Sequence, residues 1–423
     1  MIVLFSVFFI FLLLGMPIAF SMFVSSIAFM IAFDLPLYMI IPRFAAGVDS
    51  FSLLAVGFFV LAGNVMNVGG VTKRIFEWAN HLVGHYTGGL AHSNVLASVI
   101  FAGMSGSAIA DTGGLGAIEL KAMKDAGYDE DFSLAVTGAS SLIGPIIPPS
   151  VPLVIFGVTA SVSIGALFNS GLIPGFLLAL GMMILNYVIC RKKNYEKRQK
   201  ATLKEIWDCT KWSFGALLLP ILIRVTIAYG IITPTEAAIF AVVYGTILGF
   251  AYRDIKLKDI PKMVKETLNV TTGVLFIISS ATLFSWILTY SQIPQTVSAV
   301  LLGLTSSPFW ALMLIVGILL IIGCFMDLTP AILIMTPVLM PFIKALGIDP
   351  VLFGLLMVVC LLVGLVTPPV GVVLFVLSSV SGTKVEKIAI AIIPYVLLAV
   401  FMIVLLVVYI CLVVKFPNIP LIY

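Results

Sequence analysis

Charged residues are scarce in this sequence. Asp, Glu, Lys and Arg make up 10% of its 423 residues, whereas hydrophobic residues make up 61%. A soluble domain usually carries about 25% charged residues, and a soluble fold of this length could not hide so much apolar surface. The composition therefore predicts an integral membrane protein with lipid as a partner. We assign the small net charge of +4 to membrane topology and not to nucleic-acid binding.

The motifs of common enzymes are also lacking. The sequence contains no Ser/His/Asp set, P-loop or cysteine cluster, which argues against ATP hydrolysis and against a membrane-embedded enzyme. Its five cysteines have no ligand or disulfide spacing and are interpreted as packing residues. Glu77, His81 and His85 have the spacing of metal ligands, but an amphipathic helix at the cytoplasmic surface is the better interpretation.

Long apolar segments are what the sequence has in abundance. The first, from Met1 to about Phe33, is too long for a signal-peptide core and predicts a retained spanning helix. Two others, near 89–122 and 309–343, are interrupted by small, polar or proline residues and predict re-entrant hairpins of two half-helices. Nine crossings are predicted, at 1–33, 51–69, 131–160, 165–190, 212–232, 234–252, 268–289, 351–380 and 388–414.

The basic residues predict the orientation of these segments. The densest run lies within 191–211, and further Lys and Arg residues lie at 73–74, 253–265 and 384–387. Short loops rich in Lys and Arg face the cytoplasm. We therefore expect a cytoplasmic N-terminus and a periplasmic C-terminus, with the first hairpin entering from the cytoplasm and the second from the periplasm.

An internal repeat appears when the chain is shifted by 220 residues. Most of the aligned identities are Gly, Pro, Lys and Asp, which chance similarity between two apolar segments would not favour. We predict a first repeat over 1–190, a basic linker and connecting helix over 191–232, and a second, inverted repeat over 233–423. Each repeat contains a hairpin followed by a broken helix, at 131–160 and 351–380, which is typical of secondary transporters.

The tips of both hairpins carry candidate ligands. Small and hydroxyl residues in the first tip allow the backbone to approach a ligand closely, although a close-packed helix contact is the alternative. In the second hairpin, Asp327 replaces Ser107 under the repeat shift. A carboxylate in an apolar segment indicates function, although Asp327 could instead cap the half-helix that begins near Pro330.

Each hairpin is followed by a break with tandem prolines, at 144–150 and 364–369. Prolines free backbone carbonyls in the middle of the membrane, which suits a bound Na⁺, although a simple proline kink is the alternative. The candidate Na⁺ ligands are Ser105, Ser107, Ser140 and Gly144 in the first half and Asp327, Thr329, Gly364 and Thr367 in the second. The candidate substrate-binding residues are Ser105, Gly106, Ser107, Asp111, Thr112, Pro148, Pro149, Thr367 and Pro368.

One further pair of charges is predicted to have a structural role. Arg224 lies late in the connecting helix, and Glu236 lies early in the next helix. Both should therefore lie near the outer surface. Because a lone charge at that depth is costly, we expect them to form an ion pair.

The sequence resembles the large membrane subunit of tripartite ATP-independent periplasmic (TRAP) transporters. The matching stretches follow one another in order along nearly the whole chain, which is more specific than any single motif. They are Leu14-Gly-Met-Pro-Ile-Ala19, Gly103-Met-Ser-Gly-Ser-Ala108 with Asp111, Ile147-Pro-Pro-Ser150, Thr233-Pro-Thr-Glu-Ala-Ala238, Gly323 with Asp327-Leu-Thr-Pro330, and Thr367-Pro-Pro369.

The resemblance implies a Na⁺-coupled elevator transporter of the bacterial inner membrane. In this family, a mobile domain with both hairpins slides against a fixed scaffold. The substrate is an organic acid such as a C4-dicarboxylate or sialic acid, delivered by a periplasmic binding protein. We expect the small four-helix membrane subunit to be a separate chain. The alternative is a stand-alone Na⁺/dicarboxylate symporter of related architecture that needs no binding protein.

Overall fold

The computed structural model describes residues 2–193, 195, 199–305, 307–416 and 419–423. Across these residues the regular structure is entirely helical. The prediction of an all-α membrane protein is confirmed, because eight helices within the described residues are long and apolar enough to cross a membrane. They are Phe51–Val68, Ile164–Lys193, Leu203–Ala228, Pro234–Ala251, Leu257–Tyr290, Pro308–Phe325, Leu328–Ala345 and Val385–Lys415.

Within the described residues, the first half contains eleven α-helices, three short 3₁₀ helices (Leu37–Met39, Phe51–Leu53 and Ser141–Ile143) and one π turn. The helices are α1 (Ile2–Leu13), α2 (Ile18–Ala32), α3 (Ile40–Ala46), α4 (Leu54–Val68), α5 (Val71–Val83), α6 (Gly89–Ser105), α7 (Ala108–Ala110), α8 (Gly116–Asp125), α9 (Glu130–Ser140), α10 (Val151–Ala160) and α11 (Ile164–Lys193); the π turn is Asp111–Leu115.

The second half repeats much of this order. The first residues of α6, α9 and α11 precede those of α16, α18 and α20 by 219, 220 and 221 residues. The repeat seen in the sequence is therefore a repeat of helices as well. The helices are α12 (Leu203–Ala228), α13 (Pro234–Ala251), α14 (Ile260–Tyr290), α15 (Ile293–Leu304), α16 (Pro308–Phe325), α17 (Leu328–Ala345), α18 (Pro350–Gly364), α19 (Val372–Ser381) and α20 (Val385–Lys415).

The N-terminal segment differs from its prediction. Residues 1–33 do not form one spanning helix, because α1 and α2 are joined by a turn and pack against each other. Gly15 has a φ of 81°, which favours glycine, and Pro17 immediately precedes α2. The prediction of a cytoplasmic N-terminus assumed that this segment crosses the membrane once. Because the segment forms two packed helices instead, that assumption no longer supports the prediction.

The connecting helix is longer than predicted. The prediction placed it at 212–232, but α12 begins at Leu203 and ends at Ala228. Thr202 and Glu205 form a capping box, in which the Thr202 hydroxyl accepts from the Glu205 amide and the Glu205 carboxylate accepts from the Thr202 amide. Part of the basic stretch predicted as a linker therefore lies in the first turns of a helix.

Both predicted hairpins and both predicted breaks are present. The first hairpin turns between α6 and α7, and the second turns between α16 and α17. The helical path is interrupted between α9 and α10 and again between α18 and α19, where Pro148–Pro149 and Pro368–Pro369 are cis. The hairpins extend slightly beyond their predicted bounds, to 89–125 and 308–345.

The two halves interlock through their hairpins and broken helices. The second arm of each hairpin packs on the broken helix of the other half: α17 contacts α10, while α7 and the π turn contact α19. The two broken helices also pack closely on each other, because a Cβ added at Gly354 of α18 would lie 2.2 Å from the Phe156 ring of α10. The four broken elements therefore form one packed block.

Candidate functional site

The tip of the first hairpin lies on the break of its own half. Gly106 has a φ of 59°, and a Cβ there would lie 2.5 Å from the Pro149 carbonyl oxygen. The Val151 amide donates to the Gly106 carbonyl at 3.4 Å. Ser107 is the N-cap residue of α7, and its hydroxyl accepts from the Ala110 amide at 3.4 Å. Only glycine at the tip allows this approach of backbone to backbone.

The second hairpin repeats this arrangement. A Cβ at Gly364 would lie 2.2 Å from the carbonyl carbon of Gly323, so the two backbones are in direct contact. The Val370 amide of the second break donates to the Cys324 carbonyl at 3.1 Å. Each tip therefore meets the break of its own half through direct backbone contacts.

The candidate Na⁺ ligands of the first half are partly brought together. Gly144 faces the carbonyl of Ser107, because a Cβ added at Gly144 would lie 3.7 Å from the Ser107 carbonyl oxygen. Ser105 is 1% exposed and its hydroxyl has no partner among the described residues, but its Cβ faces Gly63 of α4. The Ser140 hydroxyl is buried and donates 2.6 Å to the Asn94 side-chain oxygen. Ser107 and Gly144 are thus brought together at the tip, whereas Ser105 faces α4 and Ser140 is bonded to Asn94.

In the second half, Asp327 lies between Cys324 and the start of α17. It occupies the N-cap position of α17 without a regular capping hydrogen bond, and its carboxylate faces the Leu328 amide. Thr329 is buried in the first turn of α17. The Thr367 hydroxyl donates 2.7 Å to the Val363 carbonyl, which leaves its lone pairs free. A carboxylate, hydroxyls and carbonyls are a donor set that fits Na⁺.

The candidate substrate-binding residues fall into separate groups. Asp111 and Thr112 lie in the π turn and are buried, and the Thr112 hydroxyl donates 2.8 Å to the Ala108 carbonyl. They therefore belong to the second arm of the hairpin and not to its tip. Pro148 borders a cavity of about 240 Å³ that Arg224 also lines. The remaining candidates lie at the tips and breaks, namely Ser105, Gly106, Ser107, Pro149, Thr367 and Pro368.

The predicted ion pair between Arg224 and Glu236 is wrong. Arg224 donates to the Pro148 and Val99 carbonyls, each at 3.4 Å, and lies over the Phe176 ring. The Glu236 carboxylate instead accepts from the amide and hydroxyl of Thr233, at 2.7 and 2.8 Å. Glu236 prefers this capping box because the partner is only three residues away, whereas Arg224 donates to one carbonyl of the hairpin and one of the break.

Two buried polar residues were missed in the sequence. Glu119 is 1% exposed in the first turn of α8, and Asn94 is fully buried in α6. The Asn94 amide donates 2.8 Å to the Thr137 hydroxyl and its oxygen accepts from Ser140. The available signal for Glu119 was its position inside the segment predicted as a hairpin, where any acid is unusual.

Comparison with known proteins identifies the family. The profile described as "Tripartite ATP-independent periplasmic transporter, DctM component" matches residues 5–412. This chain belongs to the TRAP transporter large permease family. It is therefore a multi-pass membrane transport protein and not an enzyme, as predicted.

Similar proteins with curated names support this TRAP assignment. The chain is 42% identical to the sialic acid TRAP transporter large permease of Vibrio cholerae, over 90% of each chain. It is 38% identical to the 2,3-diketo-L-gulonate permease of Escherichia coli, over 91% of each. It is also 38% identical to the C4-dicarboxylate permease of Pseudomonas aeruginosa, over 84% of each.

A solved structure gives an independent comparison of the fold. The Alcanivorax borkumensis YdaH transporter superposes with a TM-score of 0.64 at 16% identity, over 90% of this TRAP chain and 88% of that protein. At this identity the likeness concerns the fold alone. The helical arrangement described above is therefore one that another membrane transporter also adopts.

Proposed function

We propose that this TRAP permease couples the uptake of an organic acid to the entry of Na⁺. The observation that carries the proposal is that each hairpin tip contacts the break of its own half through the backbone, so that the same kind of contact is made twice. Each contact gathers backbone carbonyls and hydroxyls with few fixed charges. Neutral oxygens suit a monovalent cation that must be bound weakly enough to be released again.

The substrate is a carboxylate in this proposal. The named relatives transport sialic acid, 2,3-diketo-L-gulonate and C4-dicarboxylates, all of which carry at least one carboxyl group. Half-helix N-termini at the tips offer amide groups to an anion. Ser107 and Thr367 are the residues from which we expect the strongest effect on substrate affinity, because both lie where a tip or break exposes backbone.

Transport proceeds by an elevator movement in this proposal. The hairpins and broken helices, which pack as one block, move against a scaffold that includes α12 and α13. A periplasmic binding protein delivers the substrate, and a small four-helix membrane subunit completes the assembly in the bacterial inner membrane. The C-terminus lies in the periplasm, since α20 leads away from the basic residues Lys384 and Lys387.

Reconstituted vesicles test the coupling directly. The permease, its small subunit and the binding protein loaded with labelled substrate are combined, and uptake is measured with an inward Na⁺ gradient. We expect uptake to stop when K⁺ or choline replaces Na⁺. Equal uptake in the three salts would overturn the proposed coupling.

The same vesicles distinguish a transporter that depends on the binding protein from a stand-alone symporter. Omitting the binding protein should abolish uptake at any substrate concentration if delivery is obligatory. Uptake that saturates with free substrate would favour the stand-alone symporter instead. A panel of sialic acid, keto acids and C4-dicarboxylates, offered to the binding protein in a thermal-shift assay, would identify the substrate.

A further inference from the structure

Arg224 carries a positive charge without an acidic partner. It lies in the last turns of α12 and belongs to no ion pair in the part of the chain that the structure describes. The two acids of α12, Glu205 and Asp208, lie in its first two turns, about 24 Å or more away along the helix. Glu236 is engaged in the capping box of α13, and α11 contains no acid. A charge without compensation in a membrane segment is costly and indicates a ligand or partner.

The two hydrogen bonds of Arg224 leave part of its guanidinium group unused. Nε donates to the Pro148 carbonyl and Nη2 to the Val99 carbonyl, each at 3.4 Å, which is longer than the usual distance of about 2.7–3.2 Å. Nη1 has no hydrogen bond among the described residues. The planar guanidinium group can bind a phosphate or a carboxylate through parallel hydrogen bonds. Arg224 therefore retains donors for an anion.

A cavity beside Arg224 offers a place for that anion. It has a volume of about 240 Å³ and lies between the first break, α11 and α12. Asn169 of α11 also lines it, and the Asn169 side chain has no hydrogen bond within the described residues. Most of the other lining residues are apolar, including Phe168, Leu172 and Ile227. Two polar side chains with unused donors therefore line one apolar cavity.

The length of α11 places this cavity near a membrane boundary. Asn169 precedes Arg191, the first of the basic residues that end α11, by 22 residues, which corresponds to about 33 Å along the helix. The hydrocarbon core of a bilayer is about 30 Å thick. Tyr229, which follows α12, lines the same cavity and is 78% exposed, and tyrosine is enriched at this boundary. The basic residues at the other end of α11 predict that the cavity lies at the periplasmic boundary.

The groove between α11 and α12 beside this cavity is apolar and exposed. Its large exposed side chains are Ile173 and Phe176 of α11 and Ile221 and Val225 of α12. The guanidinium carbon of Arg224 lies 5.8 Å from the centre of the Phe176 ring. A ligand that contacts both Arg224 and this groove needs an acidic head and an apolar tail. A phospholipid with a net negative charge has both.

We propose that the cavity binds the phosphate group of one anionic phospholipid from the periplasmic leaflet. The Arg224 guanidinium and the Asn169 amide donate to the phosphate oxygens, and the acyl chains lie along the groove between α11 and α12. The lipid supplies the negative charge that the neighbouring helices lack. The proposal does not depend on Na⁺ coupling or on the identity of the substrate, because lipid binding is measured without transport.

Native mass spectrometry of the delipidated full-length chain measures this binding. Phosphatidylglycerol, which has a net negative charge, is compared with phosphatidylcholine, which has none, with identical acyl chains. We expect one phosphatidylglycerol to bind about tenfold more tightly than phosphatidylcholine, and Arg224→Met to lose this preference. Asn169→Leu keeps the charge and should weaken the binding severalfold. Arg43→Met is the matched control, because it removes an exposed arginine that lies over the Trp286 ring outside the cavity.

Several outcomes would overturn the lipid site. Equal binding of the two lipids to the unmodified chain would show that no anionic headgroup is selected. An unchanged preference in Arg224→Met, or an equal loss in Arg43→Met, would show that the cavity is not the site. Thermal stabilisation by inorganic phosphate as large as that by phosphatidylglycerol would replace the lipid with a free anion. Arg224→Lys keeps the charge and should retain part of the preference, which separates loss of binding from misfolding.

Discussion

The two hairpins have the same plan but place their acids differently. In the first hairpin, Asp111 and Glu119 lie along the second arm, which contains a π turn. In the second hairpin, α17 continues without a π turn, and Asp327 lies at the tip. Each half has one backbone hydrogen bond from the break to the tip, although the two bonds join different positions. The backbone framework has therefore been kept in the repeat while the charge has moved by more than one helical turn.

The difference shows that one framework can carry different ion chemistry. Backbone contacts at the tip are set by glycines and prolines and recur wherever the framework recurs. Acidic side chains are free to change position as long as their charge is balanced. The following experiments compare matched positions in the two halves, or two capping boxes, to determine which features are shared.

The largest effect is expected from a glycine in the second break. A Cβ at Gly364 would lie 2.2 Å from the Gly323 backbone, whereas at Gly144 the nearest atom is 3.3 Å away. Gly364→Ala should destabilise the protein by about 3 kcal/mol or more, because backbone must move, and Gly144→Ala by about 1 kcal/mol or less. Thermal unfolding of the purified variants measures both. Equal shifts in the two unfolding midpoints would mean that both tips are packed against their breaks in the same way.

A smaller effect is expected from the acid at the second tip. Asp327→Asn keeps the shape and removes the charge, so the Na⁺ concentration for half-maximal uptake should rise about tenfold, which corresponds to about 1.4 kcal/mol. Ser107→Ala, at the matched position of the first tip, should have a smaller effect because the Ser107 carbonyl remains. Uptake is measured in vesicles over a range of Na⁺ concentrations. An unchanged Na⁺ dependence in Asp327→Asn would make this carboxylate structural.

Arg224 of α12 donates to two carbonyls of the first half, those of Val99 and Pro148. Arg224→Met keeps the length of the side chain and removes two long hydrogen bonds to carbonyls. It should lower stability by about 1–2 kcal/mol and change the uptake rate without changing Na⁺ affinity. Arg224→Lys should recover part of the stability. A change in Na⁺ affinity alone would instead place Arg224 in an ion site.

The smallest effect is expected at the capping box of α13. Glu236→Gln should be nearly neutral in a thermal-unfolding assay, because glutamine also fits the third helical position of a capping box. Glu236→Ala should lower the midpoint slightly, and Glu205→Ala should do the same at the equivalent box of α12. A large loss of folded protein in Glu236→Gln would show that its charge is needed.

Much of the fold could be predicted from local sequence features. The repeat, both hairpins and both breaks follow from the spacing of Gly and Pro, which act through the backbone and do not depend on distant contacts. The prediction of one spanning helix over residues 1–33 was wrong because the apolar composition of the whole segment concealed the turn at Gly15. The predicted partner of Arg224 was wrong because a backbone carbonyl that accepts from it, unlike a charged side chain, cannot be recognised in the sequence.

The sequence by itself determined the membrane location, the helical class, the repeat and the family, since each depends on composition or on residues at fixed spacing. Only the tertiary structure decided which polar atoms meet. It placed Gly364 against Gly323, gave Arg224 two carbonyl partners, and buried Asp111 and Glu119. The physical reason is that burial and side-chain partners depend on how helices pack and on the local width of each turn, and neither can be read from spacing alone.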